Sequence, residues 1–211
     1  IRLWSHEITR VFGDRLINDK DRNWLINSIT DKYINKFGTT YEEIHNTGPK
    51  ILFCDFNKGD KTKSYSQTHD FNDLKWVINQ KLDEYNTSVG KKKPLYLVMF
   101  LDACDHVCRI CRIVRQPGGN ALLFGVGGSG RQSLAKLSTF INGFDCNTIE
   151  VGKGYSMADF LKTVKDCLMK CGNPKENSQV FLLVDTQLIF QNMLEVINNI
   201  LNTGEVTGIY K

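Results

Sequence analysis

Residues 118–133 constrain this chain more than any other stretch. They read Gly118-Gly119-Asn120-Ala121-Leu122-Leu123-Phe124-Gly125-Val126-Gly127-Gly128-Ser129-Gly130-Arg131-Gln132-Ser133. The apolar run at 121–124 is short enough to be a buried strand. A glycine-rich turn follows, and 133–141 carries a helical pattern. Strand, glycine loop and helix in that order form a phosphate cradle, because the loop's N–H groups and the positive end of the helix point at one spot. Gly125 to Gly130 fits the spacing G-x-x-x-x-G-K-[ST],. Arg131 then stands where lysine is expected, and Gln132 stands where a hydroxyl would hold magnesium.

The rest of the chain supports a strand–helix alternation around that loop. After residue 95 the pattern predicts a helix over 95–114, the loop strand and its helix, then a short strand at 147–151. A helix over 157–171 follows, capped by Ser156, with Phe160, Val164, Cys167, Leu168 and Cys171 facing inward. The run 179–185 is continuously apolar up to Asp185, as in a strand covered on both faces. A helix over 190–201 comes last. This is the opening of a parallel α/β sheet with crossover helices.

The first 90 residues read differently. Helical periodicity over 1–17 places Leu3, Trp4, Ile8, Val11, Phe12 and Leu16 on one face. A second helix, capped by Asn18 or Asp19, turns Trp24, Leu25, Ile29, Tyr33 and Phe37 inward and ends at Gly38. Residues 50–56 are short and apolar enough for a strand, and 57–68 are polar enough for a surface loop. Helix returns over 71–85, with Leu74, Val77, Ile78, Leu82 and Tyr85 on its inner side. The polar segment 86–94, holding Gly90, Lys91-Lys92-Lys93 and Pro94, is the natural boundary,. The division expected is 1–90, mainly helical, and 91–211, α/β.

Composition excludes several classes. The 211 residues are 41% hydrophobic and 24% charged with a net charge of +4, ordinary for a globular chain. The lysine run reads as a solvated linker, so no nucleic-acid partner is expected. No apolar stretch approaches the ~20 residues of a membrane span. The start lacks a signal peptide and an initiator Met, so an excerpt of a longer chain is expected. Seven cysteines form no regular framework and read as reduced thiols. Cys104, Cys108 and Cys111 have an iron–sulfur-like spacing. The same spacing is one face of a helix, and buried core cysteines are the simpler reading.

The chemistry follows from the loop and the apolar strand. Asp185 ends that strand and is placed to hold magnesium, directly or through water. Thr186 follows where many such ATPases have a glutamate that activates water. Threonine is no base near neutral pH, and losing a general base costs ~10²–10⁴ in rate. Gln187 could orient a water without taking its proton, but a surface or capping amide is the simpler reading. Arg131 keeps a positive charge but is forked and planar, unlike a lysine point charge. Phosphate binding by Gly125, Val126, Gly127, Gly128, Ser129, Gly130, Arg131, Gln132 and Ser133 should survive. Magnesium binding and turnover should weaken, and no catalytic residue is assigned.

Taken together, these residues resemble an axonemal dynein heavy chain. Leu3-Trp4-Ser5-His6-Glu7-Ile8-Thr9-Arg10-Val11-Phe12-Gly13-Asp14-Arg15-Leu16 is similar to a helix in the small domain of the family's third AAA+ module. Asp102-Ala103-Cys104-Asp105-His106-Val107-Cys108-Arg109-Ile110 resembles the helix that opens the fourth. The loop from Arg115 to Ser133, Asp185-Thr186-Gln187, and Leu201-Asn202-Thr203-Gly204-Glu205-Val206 match that module's Walker A region, Walker B region and the segment after it. Gly130-Arg131-Gln132-Ser133 looks like the axonemal form, whereas cytoplasmic members usually keep Gly-Lys-Thr there.

The resemblance implies a P-loop AAA+ large domain, incomplete here, preceded by the helical lid of the previous module. It implies part of a minus-end-directed microtubule motor of the ciliary or flagellar axoneme, an ATPase as a whole chain. The site here would hold ATP or ADP in a regulatory or structural role. Neighbouring AAA+ modules, dynein intermediate and light chains, and microtubules are the implied partners. Two other readings stay open: an independent P-loop ATPase, and a nucleotide-free scaffold.

Overall fold

In the computed structural model, residues 1–32, 34–45, 50–57, 63–88 and 93–210 are described. Residues 33, 46–49, 58–62, 89–92 and 211 lie outside them, and with them fall the expected inward place of Tyr33, part of the expected 57–68 loop, and Gly90, Lys91 and Lys92 of the expected boundary. The chain forms two compact units, Ile1–Leu74 and Lys75–Lys211.

The first unit contains helices α1 (Arg2–Val11), α2 (Asp19–Lys32) and α3 (Tyr41–His45) and strands β1 (Leu52–Cys54) and β2 (Ser66–Thr68). Asn18 caps α2 by accepting the Asp21 N–H at 2.8 Å,. Ile29, Ile34, Ile44, Ile51 and Phe53 form its core, with Ile8 and Leu25 packed against them. The expected inner face of α1 is corrected. Leu3, Trp4, Val11 and Phe12 are exposed, and the fully buried residue is Ser5. The packed face is turned roughly a quarter turn from the apolar arc at ~100° per residue. On α2, Ile29 is buried but Trp24 is exposed, as is Phe37 in the turn that follows.

Part of the expected 57–68 loop is strand. β2 pairs antiparallel with β1, with Phe53 opposite Gln67. The composition is polar, but the ladder and Asn57 decide the conformation. The Asn57 amide donates to the Ser66 carbonyl at 3.1 Å, and its oxygen accepts the Thr68 hydroxyl at 2.8 Å.

The second unit takes most of α4 (Phe71–Ser88), then α5 (Leu101–Arg115), α6 (Arg131–Ile141), β3 (Asp145–Thr148), α7 (Met157–Cys171), β4 (Gln179–Leu182) and α8 (Gln191–Thr203). Leu74, Val77, Ile78, Leu82 and Tyr85 of α4 are all buried, as the periodicity required. β3 and β4 pair in parallel, with Cys146 opposite Val180. That is the parallel α/β arrangement expected, reduced to two strands among the described residues. Ile149, Phe160, Val164, Met193, Val196 and Val206 form the core between this sheet, α7 and α8.

Three expectations in this unit are corrected. Residues 95–100 are extended, not helical, and α5 starts only at Leu101. Their burial alternates: Leu95 and Met99 are inside, while Tyr96 is 89% and Val98 83% exposed. A period of two cannot be helical, and Asn86 fixes Leu95 by bonding both its N–H (2.8 Å) and its carbonyl (3.0 Å). The run 121–124 is likewise no buried strand. Leu122 and Phe124 are each 88% exposed, because no described strand pairs with it. Finally, β3 begins two residues before the expected 147, and β4 ends at Leu182 with partly exposed side chains rather than running covered to Asp185.

Candidate nucleotide-binding site

The loop is built by backbone conformations that glycine permits. Gly128 (φ +79°) and Gly130 (φ +77°) both lie in the left-handed region,. Gly130 is the N-cap of α6, and no side chain caps that helix start. The first N–H groups of α6 are therefore left for a ligand. The turn closes where the Ser129 N–H reaches the Val126 carbonyl at 3.4 Å. A Cβ on Gly127 or Gly128 would meet nothing within 4 Å, so the loop's rim is open. An open glycine turn ahead of an uncapped helix fits a phosphate group.

Arg131 and Ser129 converge on Gly125. A Cβ there would lie 3.5 Å from Ser129 Oγ and 3.7 Å from Arg131 Cδ. The Arg131 guanidinium donates to the Val126 carbonyl at 3.4 Å. The substituted arginine thus lies back across its own loop. Gln132 is exposed and Ser133 half-buried. From behind, Leu97 of the extended 95–100 segment packs against Gly130, 3.4 Å from where a Cβ would sit.

Helix α6 is anchored on α5. Ser138 donates to the Val107 carbonyl at 3.5 Å, and Asn142 to the Cys111 carbonyl at 3.2 Å. Cys104, Cys108 and Cys111 are buried on the α5 face. Burial pushes the Cys104 thiol up to about 11, so it stays protonated. His106 is exposed on the opposite side of that helix. No disulfide forms among the described cysteines.

A short reversal through Gly143 (φ +73°) joins α6 to β3. Helix and strand then run in opposite senses, and α6 also packs against β4. The N-terminus of α6 therefore faces the carboxyl ends of the two strands, where parallel α/β sheets bind ligands. Asp185 lies at that end, exposed, in a single helical turn (Asp185–Gln187) after β4. One of its oxygens accepts the Thr186 N–H at 3.0 Å. Among the described residues it makes no hydrogen bond or ion pair with the loop. Its other oxygen fits one magnesium ligand, a thin donor set since Gln132 brings no hydroxyl.

Sequence reasoning missed how much Gln187 does. Its Oε1 accepts the Val184 N–H at 2.9 Å, and its Nε2 donates to the Ile149 carbonyl and, at 3.4 Å, to Thr148 Oγ1. A Gln three residues past a turn start is half of a capping-box pattern. Val184 in place of Ser or Thr hid the other half.

Residues 95–211 match the family described as P-loop containing dynein motor region D4. The chain belongs to the dynein heavy-chain family. Along its whole length it is 41% identical to dynein axonemal heavy chain 1 of Mus musculus and 39% identical to dynein axonemal heavy chain 6 of Homo sapiens. It is 37% identical to the dynein-1-beta heavy chain, flagellar inner arm I1 complex, of Chlamydomonas reinhardtii. The chain spans 5% of the length of each of these curated relatives. It is an axonemal dynein heavy-chain segment of AAA+ type, from a nucleotide-binding family, and its place is the cytoskeleton of the cilium or flagellum. No helix among the described residues is long and apolar enough to cross a membrane.

Proposed function

We propose that this segment carries a regulatory ATP- or ADP-binding site that holds nucleotide better than it hydrolyses it. The observation that carries the reading is the glycine turn of Gly125, Gly127, Gly128 and Gly130 opening onto an uncapped helix start. Its backbone donors bind phosphate whatever the side chains are. Val126, Ser129, Arg131, Gln132 and Ser133 complete the cradle, and Arg131 turns from the Val126 carbonyl to the phosphates.

Magnesium, when bound, neutralises phosphate charge, and Asp185 is the residue of this chain that would hold it. With Gln132 at the hydroxyl position its affinity is low. Thr186 supplies no base, so bound nucleotide persists. Residues 1–90 act as the lid of the preceding AAA+ module, and 91–211 open the next. In the whole polypeptide the site biases the ring of a minus-end-directed microtubule motor that drives ciliary beating. Its neighbours there are adjoining AAA+ modules of the same chain, with intermediate and light chains bound elsewhere.

The test is calorimetric titration of ATP and ADP into the intact polypeptide and into its Gly128→Val variant. A binding component present only in the first supports the site. Equal binding in both leaves the loop a vestigial turn. Steady ATP turnover that disappears with Asp185→Asn would overturn the low-hydrolysis reading in favour of a working ATPase.

A further inference from the structure

We propose that Gln187 is a positioning residue that sets the Asp185 turn against the carboxyl ends of β3 and β4, and so governs how nucleotide binding responds to magnesium. The inference rests on the nucleotide reading above and assigns a role inside it. Asp185 is exposed, and among the described residues its side chain bonds only to the neighbouring Thr186 N–H. Its direction is therefore inherited from the backbone of its turn. Gln187 closes that turn twice. Its main-chain N–H reaches the Val184 carbonyl at 2.9 Å, and its side-chain oxygen takes the Val184 N–H at 2.9 Å.

The other end of the same amide ties the turn to β3. Nε2 donates to the Ile149 carbonyl and to Thr148 Oγ1. Ile149 is buried in the core with Phe160 and Met193, so the clasp is anchored on packed structure rather than on a loop. The position demands an acceptor toward Val184 and a donor toward Ile149 on one group. Glutamine meets both; glutamate lacks the donor, methionine has no donor and only a weak sulfur acceptor, and asparagine is one carbon short. Both amide protons and the oxygen are engaged, which leaves little of the group to orient a water.

The experiment is a double-mutant cycle in the intact polypeptide, read by the affinity of a fluorescent ADP analogue with and without magnesium. Binding that survives in Gly128→Val is subtracted as belonging elsewhere. Magnesium is expected to tighten binding about tenfold in the parent and to have almost no effect in Asp185→Asn. Gln187→Met should lose most of the magnesium response while keeping magnesium-free affinity within about twofold. The Asp185→Asn/Gln187→Met double variant should lose no more than Asp185→Asn alone. Gln187→Glu keeps an oxygen for the Val184 N–H and is expected to retain about a threefold response. It also serves where the methionine variant fails to fold. A Gln187 variant that weakens binding equally with and without magnesium, or that keeps the full response, overturns the proposal. No magnesium response lost in Asp185→Asn overturns it together with the metal role of Asp185. No binding above the Gly128→Val level overturns the nucleotide reading itself.

Discussion

At Gly130 the backbone takes φ +77° with Leu97 packed 3.4 Å from the missing Cβ. Any side chain there meets strain of about 1–2 kcal/mol and a crowded neighbour as well. Gly130→Ala should therefore weaken nucleotide binding by tenfold or more by displacing the first N–H groups of α6, which titration of ADP would show. Arg131 poses a different question, because its guanidinium already has the Val126 carbonyl. That bond is exposed, long and easily traded for a phosphate. A charge-assisted bond is worth about 1.5–3 kcal/mol, so Arg131→Ala should lower ADP affinity by roughly tenfold or more. Arg131→Lys should recover most of it. Equal affinity in the alanine variant would show that backbone donors alone hold the nucleotide.

At the scale of elements, α7 shows local signals and packing in agreement except at Cys171, expected inward but exposed in the last turn. Ser156 accepts the Asp159 N–H at 3.3 Å, while Asp159 accepts the Ser156 N–H at 2.9 Å, a reciprocal capping box,. Ser156→Ala should cost about 1 kcal/mol, read as a shift in the denaturation midpoint. Hydrogen bonds from Ser156 hold the Asp159 carboxyl below its ordinary 3.8. A depressed folded-state value means the cap's contribution is fully present above about pH 4 and fades as pH falls through the folded value. The Ser156→Ala penalty should accordingly shrink in acid. Further along the helix, Phe160 is fully buried and meets Phe181 of β4 edge-on, ring centres 6.4 Å apart. Phe160→Ala should cost about 3–5 kcal/mol and loosen the sheet that supports Asp185.

For the whole molecule, the informative surface is the apolar one left open. Leu122, Phe124 and Val126 are exposed beside the loop, and so are Tyr96, Val98 and Phe100. Extended apolar segments with unpaired edges are aggregation sites. The 211-residue chain expressed alone should scatter light on warming. Leu122→Thr with Phe124→Ser should delay that onset without altering the buried core of α7 and α8. An unchanged onset would place the sticky surface elsewhere, with the exposed Leu3, Trp4 and Phe12 of the first unit as the next candidates.

Much of this was legible from residue order because local physics decides it. The helical repeat of α4 put Leu74, Val77, Ile78, Leu82 and Tyr85 inside. Ser156 marked the start of α7 as its cap, and the glycine spacing at 125–130 marked the turn ahead of α6. Family membership was legible too, since it rests on ordered motifs and not on contacts. Outside such strongly periodic helices, tertiary structure decided which apolar residues are covered, because burial depends on what a segment meets. Ala121 to Phe124 has the composition of an interior strand but pairs with no described strand, so Leu122 and Phe124 face out. The α1 arc of Leu3, Trp4 and Val11 stays open because packing chose the side with Ser5. Gln187 was ambiguous in sequence for the same reason. An amide becomes a clasp only when Val184 and Ile149, 35 residues apart in the chain, are brought to its two ends by the pairing of β3 with β4.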